Sequence, residues 1–96
     1  MRKFDDYEIL IRSKRGPRTS KQRWVLTVMY DYWRVTGNHL TYLRMMSAMK
    51  MSRAAIWRNQ KELINDGWLE KKRGYNKVTR FDQNVYTFLK PTGEKK

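Results

Sequence analysis

Apolar positions recur with a helical period through the first two thirds of the chain and with a period of two near its end. Thr19 and Gln22 have the spacing of a capping box, and Val25, Val28, Met29, Tyr32 and Val35 then step by three and four. The spacing predicts a helix over 20–36, with Trp24 and Trp33 widening its apolar face as core residues, and Thr36-Gly37-Asn38 ending it. A second short helix is expected over 41–49 behind Thr41, and a third over 53–66, opened by Ser52 and closed by Gly67. Leu40, Met45, Met49, Met51, Ile56, Leu63, Trp68 and Leu69 form one apolar side of this stretch, whereas Arg53, Trp57 and Lys61, at i, i+4 and i+8, share another. Beyond Gly67, a turn around Gly74-Tyr75-Asn76-Lys77 and the alternation of QNVYTFL over 83–89 predict a β-hairpin over about 69–89. Residues 1–11 carry Phe4, Tyr7, Ile9, Leu10 and Ile11 among three acids and fit a short strand or a helical turn equally well. The fold class expected is α+β, mainly α, in one domain: a basic N-terminal arm over 1–18, a globular unit over 19–89 and a polar tail over 90–96.

Charge changes what this scaffold is expected to meet. Twenty-two Lys and Arg against nine Asp and Glu give +13, an excess that opposes compaction and favours a polyanionic partner. No acid lies between Tyr32 and Lys61, where Arg34, Arg44, Lys50, Arg53 and Arg58 are found, and residues 12–23 hold six basic residues and no acid. Nucleic acid comes first among polyanions and an anionic membrane surface second. The segment Trp24 to Tyr30 is too short for the ~20 residues a span requires, and Asp5, Asp6 and Glu8 stand where a signal peptide needs an apolar run. A soluble, cytoplasmic protein is expected. Without cysteine, and with His39 as the single histidine, no metal site or thiol chemistry is expected. Asp5, Asp6 and Glu8 lack an accompanying nucleophile, base or phosphate-cradling loop, so neither an enzyme nor a cofactor protein is expected. The six methionines are read as filling between helices.

The order of helix, helix, helix and basic hairpin resembles the winged helix-turn-helix domains of prokaryotic and viral regulators and replication initiators. The stretch KMSRAAIWRNQKELINDGWLEKKR, residues 50–73, resembles that family's recognition-helix segment, and Asn84-Val85-Tyr86 resembles the Asn-x-Tyr of its returning wing strand. Three positions depart from the pattern. Lys50 stands where Gly is common at the corner, suggesting a looser turn or one held by Met51; Gln60 stands where Leu is usual; Met46 replaces a small residue. The resemblance implies a double-stranded DNA partner, with the third helix in the major groove and the wing on a flanking groove or the backbone. Ser52, Arg53, Ala54, Trp57, Arg58 and Lys61 then become candidate contacts on the helix, Lys72, Arg73, Tyr75, Asn76 and Lys77 on the wing, and Arg18 on the arm. Arg53 suits guanine O6 and N7 or a phosphate; Arg58 and Lys61 suit phosphates. The expected role is transcription regulation by site occupancy, in a protein of viral or plasmid origin. Replication-origin binding, or a protein or RNA interaction module, is the alternative. Because one recognition helix reads few base pairs, a homodimer is expected, through residues 1–18 or the helix face bearing Trp24 or Trp33.

Overall fold

The computed structural model describes the backbone of residues 5–76 and 81–91 and the side chains of 5–74 and 84–91. Its order is α1 (Asp6–Arg12), α2 (Ser20–Thr36), α3 (Tyr42–Met49), α4 (Arg53–Asn65), β1 (Leu69–Asn76) and β2 (Phe81–Phe88), the two strands forming one antiparallel hairpin. The protein is therefore α+β and mainly helical, with four described helices where the periodicity predicts three. The extra one is α1, in the stretch that could have been strand or helix. Asp5 decides it: its carboxylate accepts the Glu8 N–H at 2.9 Å, and Glu8 Oε1 accepts the Asp5 N–H, closing a capping box. Tyr7 and Ile11, one turn apart, then bury against α2, and the Tyr7 hydroxyl donates to the Trp68 carbonyl at 3.0 Å. Residues 6–12 are thus part of the packed body, not of a separate arm.

Desolvation raises the Asp5 carboxyl. The Tyr30 hydroxyl and the Glu8 N–H hydrogen-bonded to it, with the Arg34 charge nearby, outweigh that effect and hold it below the usual carboxylate range.

Helix α2 touches α1, α3 and α4 and forms the centre of the molecule. Its buried stripe is Gln22, Val25, Leu26, Met29 and Tyr30; of the predicted row, Val25 and Met29 are buried, Val28 and Tyr32 pack partly buried against the core, and Val35 falls outside it. Val35 is 67% exposed, and Trp24 and Trp33, expected in the core, are 48% and 38% exposed. The reason is that α1 and the hairpin cover the side holding Tyr30, leaving the Val35 edge bare. Met29, Met45 and Met49 are buried with Ile56, Leu63, Trp68 and Leu69, in keeping with their reading as core.

Thr19 caps α2 through the Gln22 N–H, but Gln22 Oε1 accepts from the Arg18 N–H and its amide donates to Glu62, so the box closes one residue further back. Gly37 and Gly67 end α2 and α4 with φ of 77° and 88°, values a side chain would strain. Lys50 adopts the same region at the end of α3 (φ 57°, ψ 46°), its N–H donating to the Met46 carbonyl at 2.9 Å. The corner is therefore tight, not loosened by the lysine. A left-handed L-residue costs roughly 1–2 kcal/mol, partly offset because glycine has more freedom to lose on folding. Lys50→Gly should raise the unfolding free energy by about 0.5–1 kcal/mol, seen as a higher urea midpoint, whereas β-branched Lys50→Val should lower it by at least as much. Equal midpoints for all three would remove strain from this corner.

In the hairpin, Leu69 pairs with Phe88, Lys71 with Tyr86, Arg73 with Asn84 and Asn76 with Phe81. Strand β1 therefore runs through the predicted turn at Gly74–Asn76, and the connection falls at 77–80, outside the described residues. Side chains alternate, so Leu69, Lys71 and Arg73 share one face with Phe88, Tyr86 and Asn84, and that face packs toward the helices. His39 lies beneath it, 5.6 Å from the Tyr86 ring, and burial lowers its pKa from 6.5. Since the folded state resists protonating it, stability is fully present above pH 6.5 and declines as pH falls through the lower folded value. His39→Gln should flatten this part of the melting-temperature profile between pH 7 and 5; an unchanged profile would exclude His39 as its source. Among the described residues, no helix is long and apolar enough to cross a membrane.

Candidate nucleic-acid interface

The first half of α4 and the inner face of the hairpin enclose a groove of about 590 Å³. Arg53, Ala54 and Trp57 line it from the helix, Lys71, Arg73 and Asn84 from the strands, and Tyr42 from α3. Ser52 caps α4, its Oγ accepting the Ala55 N–H at 3.1 Å. The N–H groups of Arg53 and Ala54 then have no intrahelical acceptor and add a partial positive charge at the same end.

Tyr42 organises the cations. The Arg53 guanidinium lies 4.9 Å and the Lys71 ammonium 5.3 Å from its ring centroid, and Lys71 Nζ also donates to its hydroxyl at 3.2 Å. That hydroxyl donates to Gln60 Oε1 at 2.7 Å, while Gln60 Nε2 reaches the Tyr86 hydroxyl and the sulfurs of Met29 and Met45. Gln60 is only 1% exposed, so the polar residue at a usually apolar position is hydrogen-bonded at the core boundary, in unchanged helical register. Burial, with Tyr42 beside it, pushes Tyr86 up to about 12, so its hydroxyl keeps its proton and completes the chain of hydrogen bonds. Two cations from different elements are thereby fixed against one ring without a carboxylate.

The remaining candidates separate by position. Trp57 is 49% exposed, with the Lys61 ammonium 4.8 Å from its ring centroid, and Arg58 is exposed further round α4. Asn59 turns inward, its amide donating to the Ala55 carbonyl at 2.8 Å. Lys72 lies on the hairpin's other face, near Glu70 at 4.0 Å, so it does not join Arg73 in the groove. Arg18 is held at the opposite end of α4, its Nε 2.9 Å from the Asp66 carboxylate, about 20 Å away along a 13-residue helix. Tyr75 and Asn76 pair with Asp82 and Phe81 through the backbone, their side chains falling outside those described, as does Lys77 altogether.

Tyr42 has no signal in the basic pattern, because its role depends on residues 11 and 29 positions away. Lys71 was recoverable: strand alternation pairs it with Arg73 and excludes Lys72. Among the described residues, no group of His, Asp and Glu is arranged to hold a metal ion. The chain matches no protein-family model, no curated protein and no solved structure.

Proposed function

We propose that this protein is a winged helix-turn-helix DNA-binding protein that regulates transcription by occupying a duplex site. The observation that carries this reading is one surface where the cations of α4 and the hairpin's inner face converge, with no carboxylate among the described residues that line the groove. Described carboxylates are engaged elsewhere: Asp5 and Glu8 against Arg34, Asp66 against Arg18, Glu62 against Gln22, Glu70 near Lys72 on the hairpin's other face. A polyanion approaching the α4 face meets the exposed charges of Arg53, Arg58 and Lys61.

In this reading α4 enters the major groove by its N-terminal half. Arg53, pre-oriented on Tyr42, donates two hydrogen bonds to guanine O6 and N7, Arg58 and Lys61 hold phosphates, and Arg73 and the wing tip reach the flanking backbone. A homodimer would present two such helices to two half-sites.

The test is selection from a randomised duplex pool, with single-stranded RNA as competitor, across a salt series. Enrichment of a duplex motif, with a log–log salt slope near −5 for five or six phosphates, supports the reading. A palindromic motif supports the dimer. Equal affinity for RNA with no enriched motif would overturn the regulator.

A further inference from the structure

We propose that the groove between α4 and the hairpin is a site for one unstacked nucleotide within duplex DNA, its base against the Trp57 indole, its edge on Asn84 and its phosphate on Lys71. The inference rests on the duplex-binding reading above and adds what the concave part of that surface takes.

Trp57 is the first reason. An indole that is 49% exposed contributes little to the core, yet it forms one wall of the groove, while Lys61 lies over its ring. A half-exposed indole beside cations is the chemistry on which nucleobases stack, whatever their identity. The second reason is the opposite wall, on the strands. Lys71 is fixed on Tyr42, and Tyr42 is fixed through Gln60 to the core, so positive charge is in place before a ligand arrives. Asn84, across the hairpin from Arg73, adds a carboxamide that hydrogen-bonds the Tyr86 hydroxyl and has further donor and acceptor capacity for a base edge.

Size and composition select among ligands. A volume of about 590 Å³ lies within the range of small-ligand clefts, larger than a single phosphate needs. A paired duplex can place phosphates on the cations at the rim, but its bases remain in the stack and leave the indole and the carboxamide unused. An acidic peptide would likewise engage only the cations. A base released from its stack uses the ring, the amide and the charges together.

The experiment compares three fluorescent DNA duplexes at one salt concentration: fully paired, carrying one bulged nucleotide, and carrying an abasic bulge at the same position. Wild-type protein should bind the bulged duplex about tenfold tighter than the paired one, the scale of one base–aromatic stack, and the abasic bulge should lose that gain. Trp57→Ala should bring the bulged-to-paired ratio close to one, and Trp57→Phe should keep part of it; thermal melting checks that both variants fold. Equal binding of paired and bulged duplexes by the wild type, a gain that persists without the base, or an undiminished ratio in Trp57→Ala would each overturn the site. Of these, the first leaves duplex recognition standing. Failure to bind any of the three duplexes would overturn both readings.

Discussion

Replacing Arg53, Arg58 and Lys61 together by Gln should weaken duplex binding by at least about a hundredfold near 0.15 M salt, through two lost phosphate contacts and one lost guanine contact, and make the log–log salt slope shallower by about 1.8. Each phosphate contact on B-DNA contributes roughly 0.9 to that slope, which at this salt corresponds to about a fivefold change in affinity per contact. The three side chains are exposed on one helix, so the fold should survive. Surface substitutions typically cost within about 0.5 kcal/mol, and the contacts of Arg53 with the Tyr42 ring and of Lys61 with the Trp57 ring add to this. Arg53→Lys alone separates reading from holding. The ammonium keeps the charge but loses the planar fork, so the salt slope should stay constant while discrimination at one guanine drops by about 1–3 kcal/mol. Glu replacements at all three positions should abolish binding. If anisotropy titrations of the Gln variant instead reproduced the wild-type affinity and slope, α4 would not be the DNA-contacting helix.

The elements that local chemistry determines were legible in the sequence. Thr41 and Ser52 cap α3 and α4 as their spacing predicts, and Gly37 ends α2 in the left-handed region. What required three dimensions was the choice among competing faces. Helix α2 has apolar residues on more than one side; Val25 and Met29 follow from its spacing, and only the covering of Tyr30 by Tyr7 and Phe88 brings Leu26 and Tyr30 into the core in place of Val35. The site divides the same way. Arg53, Ala54 and Trp57 follow from helical spacing and Arg73 from the basic wing, and all four line the groove. Tyr42 and Gln60 do not, because a tyrosine in a short helix and a glutamine in a core position acquire their roles from each other and from Lys71. The basic arm is the converse case. Its composition suggests free cations, yet Arg18 pairs with Asp66, and Arg23 donates to the Ser13 carbonyl at 3.1 Å.

The attachment of α1 should give the largest stability effect: Arg34→Met is expected to cost about 3 kcal/mol and, at roughly 4–8 °C per kcal/mol for a chain of this size, to lower the melting temperature by at least about 12 °C. Glu8 is 2% exposed and ion-paired with the Arg34 guanidinium, which also lies 3.5 Å from Asp5. Methionine keeps much of the aliphatic stem but removes the charge, leaving a carboxylate in the interior without its cation. Desolvation of that carboxylate is the source of the loss, since Arg34 itself is 30% exposed and keeps some water in the wild type. Adding Glu8→Gln to Arg34→Met should therefore recover a large part of the lost stability, because the neutral amide needs no counter-charge. The two substitutions act on one pair, so their effects should be far from additive, with a coupling of about 1–3 kcal/mol in the double-mutant cycle. If the double variant were as unstable as the sum of the singles, the loss would lie in packing between α1 and α2. A wild-type melting temperature for Arg34→Met would mean that the interior ion pair has no part in docking the first helix, which Tyr7, Ile11 and the Asp5–Tyr30 hydrogen bond then hold without it.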